Sequence, residues 1–205
     1  MKKILFLLSI SLLFSFNNEV KAQDPAFSQF FANPLYLNPA MAGTNICPRI
    51  SLNHRNQWPG IGKTYVTYSA SYDQYVEKLG GGLGFAIAKD VAGAGNLNTT
   101  HISAAYAYRL KINKKLSINA GFEAAYRQLG IDWQNLTFGD MIDPVQGFIY
   151  PTNEDIVNYA NSKGFTDFAA GFMGFGNANN QFDYYFGFAA HHITMPDQGF
   201  IGESR

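Results

Sequence analysis

The feature that most constrains this chain is a run of strict alternation at residues 115–127. Leu116, Ile118, Ala120, Phe122, Ala124 and Tyr126 interleave with Ser117, Asn119, Gly121, Glu123, Ala125 and Arg127. A period of two means an extended strand with one apolar and one polar face. The run is longer than the five or six residues typical of a soluble strand. It matches the roughly 9–11 residues that a tilted strand needs to cross a bilayer. Residues 182–192 repeat the pattern. Phe182, Tyr184, Phe186, Phe188 and Ala190 oppose Asp183, Tyr185, Gly187, Ala189 and His191.

Other segments alternate in the same way. In 64–75, Val66, Tyr68, Ala70 and Tyr72 oppose Thr67, Ser69, Ser71 and Asp73. In 81–89, Leu83, Phe85 and Ile87 oppose Gly82, Gly84, Ala86 and Ala88, small residues that leave room where a wall bends or side chains crowd. In 100–110, Ile102, Ala104, Tyr106 and Tyr108 point outward, with His101, Ser103 and Arg109 inward. Residues 165–175 set Phe168, Ala170 and Phe172 against Ala169, Gly171 and Met173. Residues 49–57 are polar on both faces and form the weakest of seven expected strands.

The expected fold is all-β, a transmembrane antiparallel β-barrel of the outer-membrane type. Composition agrees: 16% aromatic but only 15% charged residues, below the usual quarter charged. Mean hydropathy is −0.11, as expected when alternation averages two faces. Fifteen basic residues balance fifteen acidic ones, which argues against nucleic-acid binding. The single cysteine, Cys47, excludes an internal disulfide and reads as a small buried or loop residue. Closed bacterial barrels have an even number of strands, eight or more. Seven strands therefore suggest a barrel incomplete in this chain and truncated at its C-terminus, or eight strands if 49–57 and an N-terminal segment both pair.

Three parts are expected. Residues 1–22 read as a signal peptide: Lys2 and Lys3, an apolar run, and a small-x-small site that places cleavage between Ala22 and Gln23. Residues 23–48 are rich in Pro, Asn and aromatics. Pro25, Pro34 and Pro39 exclude a central strand or long helix. A helical turn around 26–32 and a plug-like or periplasmic placement are expected. Residues 49–205 form the barrel portion. Within it, 90–98 and 176–180 read as turns, Trp58-Pro59-Gly60-Ile61-Gly62 as another turn, and 130–163 as a long connection with a short helix over 152–162.

No motif specifies catalysis, a cofactor or a metal. Adjacent His191 and His192 would point to opposite faces of a strand and could not share a metal. His54 and Arg55 suit a lumen wall. His101 and Ser103 share a face, and with Glu123 they could make a lipid hydrolase, but nothing sets the orientation a nucleophile and base require. Asp140 and Asp143 lack a calcium-loop pattern. Gly80–Gly84 opens a strand, not the helix that a phosphate site uses. Inward Arg109, Glu123 and Arg127 would suit a passive porin-like channel.

Several blocks resemble the PorP/SprF family of type IX secretion membrane proteins. They include Gln23-Asp24-Pro25-Ala26-Phe27-Ser28-Gln29-Phe30, Asn33-Pro34-Leu35-Tyr36-Leu37-Asn38-Pro39-Ala40-Met41-Ala42-Gly43-Thr44 and Asn53-His54-Arg55-Asn56-Gln57-Trp58-Pro59. Phe138-Gly139-Asp140-Met141-Ile142-Asp143 and His192-Ile193-Thr194-Met195-Pro196 add to the likeness. The resemblance implies a non-enzymatic outer-membrane component that assists export or surface attachment of cargo such as gliding-motility adhesins. Implied partners are other components of that system, secreted cargo and outer-membrane lipid. It implies no catalytic residues and no cofactor.

Overall fold

The computed structural model describes residues 24, 27–45, 47–60, 65–93, 97–113, 115–154, 160–178 and 182–200. Seven strands form one antiparallel sheet: β1 (Arg49–Gln57), β2 (Tyr65–Val76), β3 (Gly81–Ala92), β4 (Leu97–Lys111), β5 (Leu116–Gly130), β8 (Ser162–Ala178) and β9 (Phe182–Ala190). The order is β1-β2-β3-β4-β5-β8-β9, and the sheet curls into a half-barrel. Two short strands, β6 (Ile142–Asp143) and β7 (Gly147–Phe148), pair as a separate hairpin within the long connection. The fold is all-β, and no helix among the described residues is long and apolar enough to cross a membrane.

Alternation sets the two faces. On β4 and β5 every second side chain is buried and its neighbour exposed. The exposed set on the convex face is apolar: Tyr68, Phe85, Ile87, Ile102, Phe122 and Tyr126 are each at least partly open to the surroundings. The buried set on the concave face is polar or small: Ser69, Asp73, His101, Asn119, Glu123, Arg127 and Asp167, with Ala105, Ala107, Ala125 and Ala169 between them. This inverts a soluble protein, whose apolar side chains are the buried ones. It suits a wall with lipid outside and polar contacts inside.

All seven strands expected from the sequence are present. The polar segment 49–57 pairs along its whole length with β2. Several strands run longer than alternation alone marks. β3 continues to Ala92, β4 starts at Leu97, and β8 absorbs Gly176 and Asn177. Backbone groups in an apolar surrounding must be satisfied internally, so ladders extend past the last alternating side chain. Of the expected 152–162 helix, residues 155–159 lie outside the described residues, and Ser162 already belongs to β8. Residues 61 and 62 of the expected turn at Trp58 also lie outside them, as do 1–23, with Ala22 and Gln23.

The two ends of the sheet differ. One end carries the links 77–80, 112–115 and 179–181, and is called the turn end here. The other, the loop end, carries 58–64, 93–96 and the long 131–161. Chain following β9 also lies there. Ile193 N donates to Phe168 O, and Lys163 pairs with Asp197 at 2.7 Å.

Candidate functional site: the occupied concave face

Residues 27–44 lie against the concave face of the sheet. Their local form follows from their prolines. Pro34 begins the single-turn helix α1 (Pro34–Leu37), and Pro39 begins the 3-10 turn Pro39–Met41. Proline is suited to the first helical position because its missing N–H has no partner there anyway. A 3-10 turn at Phe30–Ala32 precedes them, close to the expected turn at 26–32. Asn38 caps the second turn by accepting from Ala40 N at 2.8 Å.

The sheet receives this segment with glycine. A Cβ on Gly121 would lie 2.5 Å from Ala40 Cα, and one on Gly84 would lie 2.8 Å from Leu35 Cδ1. A Cβ on Gly82 would overlap the Ala42 carbonyl, and one on Gly171 the Asn38 carboxamide. The small inward residues noted in the sequence thus make room for the chain's own N-terminal segment. Leu35, Ala40 and Ala42 are almost fully buried there. Burying a leucine of this kind contributes about 1.5–3 kcal/mol.

Polar side chains fix the register. Asn33 Nδ2 donates to Ser69 Oγ at 3.0 Å. Asn38 Nδ2 donates to the carbonyls of Phe172 and Phe188, each at 3.2 Å, and so bridges β8 and β9. Asn119 Nδ2 donates to Ala40 O at 3.1 Å, and Arg109 Nη2 to Gly43 O at 2.7 Å. Asp73 accepts from Gly43 N at 2.9 Å and from Arg49 Nε at 2.8 Å. The segment enters near Arg127, toward the loop end, and leaves by Arg49 at the turn end.

At the loop end four charged groups close a ring. Asp24 accepts from Arg127 Nη1 and, at 3.4 Å, from Arg127 Nη2. Asp24 Oδ2 lies 2.9 Å from His192 Nε2. His192 Nδ1 lies 2.7 Å from Asp167 Oδ2, out of line for a hydrogen bond, so this contact is an ion pair. Arg127 Nε, 3.5 Å from Asp167 Oδ2, completes the ring on the same electrostatic footing. Thr194 Oγ1 donates to Asp167 Oδ1 at 3.1 Å. Two carboxylates face one guanidinium and one imidazole, so the ring is neutral when His192 is protonated.

Burial opposes the Asp24 charge, but hydrogen bonds from His192 and Arg127 outweigh it and hold the carboxyl below the usual range. The Asp24 hydrogen bond raises His192 above its ordinary value against the effect of burial. Burial and the nearby Asp24 charge raise Tyr36, which keeps its phenolic proton. A cavity of about 420 Å³ beside the ring is lined by Asp24, Phe27, Tyr36, His101, Glu123 and His191, among others.

The structure separates the candidates read from the sequence. His101 and Ser103 do share the concave face, but Ser103 is hydrogen-bonded to Glu123. His101 Nε2 has no hydrogen-bond partner and sits 3.8 Å from Glu123. The serine is thus engaged by the acid rather than the imidazole, the wrong pairing for an activated nucleophile. Arg109, Glu123 and Arg127 point inward, where Arg109 holds Gly43 and Arg127 holds Asp24. His54 faces outward and stacks on Tyr68 at 4.7 Å, while Arg55 bonds to Gln57.

Asp140 and Asp143 serve separate loop turns. Asp140 accepts from Thr152 Oγ1 and Asn153 N, and Asp143 from Val145 N, Gln146 N and Tyr150 OH. Gly80 adopts a left-handed φ of 62° in the β2–β3 turn, and β3 begins after it. Cys47 is exposed in the link before β1.

Two expectations are corrected. His54, expected with Arg55 on a lumen wall, lies instead on the convex face, opposite Tyr68 in the β1–β2 ladder. His191 and His192 do not point to opposite faces of a strand. β9 ends at Ala190, and His192 takes a left-handed φ of 55°. Both imidazoles then turn toward the N-terminal segment: His191 Nε2 lies 3.4 Å from Leu37 O, and His192 meets Asp24. Sequence reading also missed Asp24, Asp167 and Asn38 as contact residues. The one available signal was Asp167, an acid at an inward-facing position of an apolar strand.

A family model described as "Type IX secretion system membrane protein PorP/SprF" matches residues 19–204, and the chain belongs to that family. It is therefore a membrane component of type IX secretion. Searches of curated proteins and of solved structures gave no match.

Proposed function

We propose that this PorP/SprF-family chain is a non-enzymatic outer-membrane component of type IX secretion that assists export or surface attachment of cargo such as gliding-motility adhesins. Its partners in this reading are other components of the system, the cargo and outer-membrane lipid. Supporting the location are the apolar convex face and the contrast between short and long links at the two ends, both usual in outer-membrane barrels. By that rule the turn end faces the periplasm. Export through a signal peptide at 1–22, cleaved between Ala22 and Gln23, belongs to the same reading. So does the division into 23–48 as a plug and 49–205 as the barrel wall.

The observation that carries the reading is the occupied concave face. Residues 27–44 cover β3, β4, β5 and β8 where a passive channel would keep water. Such a surface suits a protein that holds or positions polypeptide. The experiment is a clean deletion of the gene with quantification of cargo on the cell surface. Loss of surface cargo, restored by complementation, is expected; unchanged display in the deletion would end the proposal.

The porin-like alternative draws on inward Arg109, Glu123 and Arg127. Two of these hold the N-terminal segment in place on the concave face. Planar-bilayer recording separates the readings, since a porin gives steady conductance and an occupied wall does not.

A further inference from the structure

At the turn end a cavity of about 570 Å³ opens on the concave face. Its lining includes Arg49, Arg109, Lys111 and Lys115, with Asp183 as the only carboxylate in it. Asp183 is already engaged by Asn177 Nδ2 at 2.7 Å, and Arg49 is neutralised by Asp73 at 2.8 Å. Arg109 is held in place by Gly43 O, by Asn119 Oδ1 at 3.3 Å and by the Tyr75 ring at 4.9 Å from its centroid. The Lys111 and Lys115 side chains have no hydrogen bond or ion pair among the described residues. Three cations thus converge on the single carboxylate of Asp183, which leaves the cavity with an excess of positive charge.

Backbone pairing places both lysines: Lys111 opposes Ser117 in the β4–β5 ladder, and Lys115 is held at the turn. Asn113 Oδ1 accepts from Lys115 N at 2.8 Å and from Leu116 N at 2.7 Å, and Asn177 N donates to Lys115 O at 2.9 Å. An apolar wall lies opposite, where Phe175 and Tyr185 meet edge to face at 5.7 Å. We propose that this cavity is a docking site for an acidic polypeptide segment of a partner protein, with carboxylates on Lys111 and Lys115 and an apolar side chain against Phe175 and Tyr185.

Charge complementarity selects the sign of the occupant, and position selects its class. Arg109, Phe175 and Tyr185 lie on the concave face, away from the apolar convex face that lipid would cover. An anionic lipid headgroup would meet the lysines from outside the wall, whereas Arg109, Phe175 and Tyr185 line the cavity. The size suits a few side chains, within the roughly 300–1,000 Å³ usual for ligand pockets. The inference does not depend on the secretion role, because its test is binding in vitro.

The test uses the full chain in zwitterionic detergent micelles and a fluorescein-labelled peptide, Glu-Glu-Phe-Glu-Glu, followed by anisotropy at about 0.1 M salt. The wild type is expected to bind this peptide and not Lys-Lys-Phe-Lys-Lys. The double variant Lys111→Glu/Lys115→Glu should raise Kd by about tenfold or more. Lys111→Gln/Lys115→Gln does the same work should the reversal fold poorly. Tyr185→Ala, with no charge change, should weaken binding about threefold or more. The control Lys78→Glu/Lys89→Glu, which makes the same charge change outside the cavity, should shift Kd by less than about twofold. Absence of wild-type binding, or equal loss in the control, overturns the proposal. Phosphatidylglycerol binding that needs Lys111 and Lys115, without peptide binding, would assign the lysines to lipid and also overturn it.

Discussion

His192 Nε2 lies 2.9 Å from Asp24 Oδ2, so a residue beyond the last strand grips one that precedes the first helical turn. This contact makes the hold on the N-terminal segment pH-dependent. His192 is raised above 6.5 by Asp24, so its contribution is complete below 6.5 and is lost as pH rises through the raised value. Asp24 is depressed below 3.8, so its contribution is complete above 3.8 and is lost as pH falls through the depressed value. In detergent, Tm should be highest between these limits and decline as pH rises above 6.5. His192→Gln should remove the alkaline decline; an unchanged profile in that variant would show that the pair does not contribute.

Arg127 is the hinge of the charged ring. It is 6% exposed and faces both Asp24 and Asp167. Removing one partner from a buried pair strands the other charges, at about 3–5 kcal/mol. Arg127→Ala should therefore lower unfolding free energy by an amount of that order. Arg127→Ala/Asp167→Asn should recover part of it. If the double variant is as unstable as the sum of the singles, measured by denaturant titration, the two residues are not coupled.

Gly121 tests the seat of the N-terminal segment. Its missing Cβ is replaced by backbone of Pro39 and Ala40, which cannot swing aside as a flexible side chain would. Gly121→Val should expel residues 33–43, at about 1–3 kcal/mol for overpacking, and expose them to protease. The neighbouring Ala124→Val, on the convex face, should leave cleavage unchanged. Equal protection in both variants would mean the segment does not rest on β5.

Phe122 tests the lipid-facing assignment. It is 52% exposed on the convex face and stacks on Phe168 at 5.6 Å. Phe122→Arg should cost about 2–4 kcal/mol if it lies near the bilayer midplane. Folding yield into vesicles is the readout, and an undiminished yield would place this face outside the hydrocarbon.

Sequence reading reached the wall and not what the wall holds. Alternation is a local signal, so Leu116–Tyr126 and Ser117–Arg127 declare their faces within one strand. The link lengths and the polar inner face follow from the same pattern. Residues 23–44 carry no period, and their prolines only exclude regular elements. That Leu35 packs on Gly84, or that Asn38 reaches Phe172 and Phe188, depends on curvature of the sheet, which no single strand records. His192 was misjudged because the strand was read two residues too long. A left-handed φ at a histidine has no compositional mark.

Asn38 touches carbonyls 134 and 150 positions further along the chain. Those carbonyls come into register only when β8 and β9 have paired. The first part of the wall's occupant to be synthesised is thus the last to find its place. Closing contacts of such separation is slow, because chain entropy is spent before any bond rewards it. Until then the end of the glycine track at Gly171, on β8, stands empty. A nascent chain in that condition presents a bare groove to every neighbouring polypeptide, and its maturation amounts to winning that groove for itself.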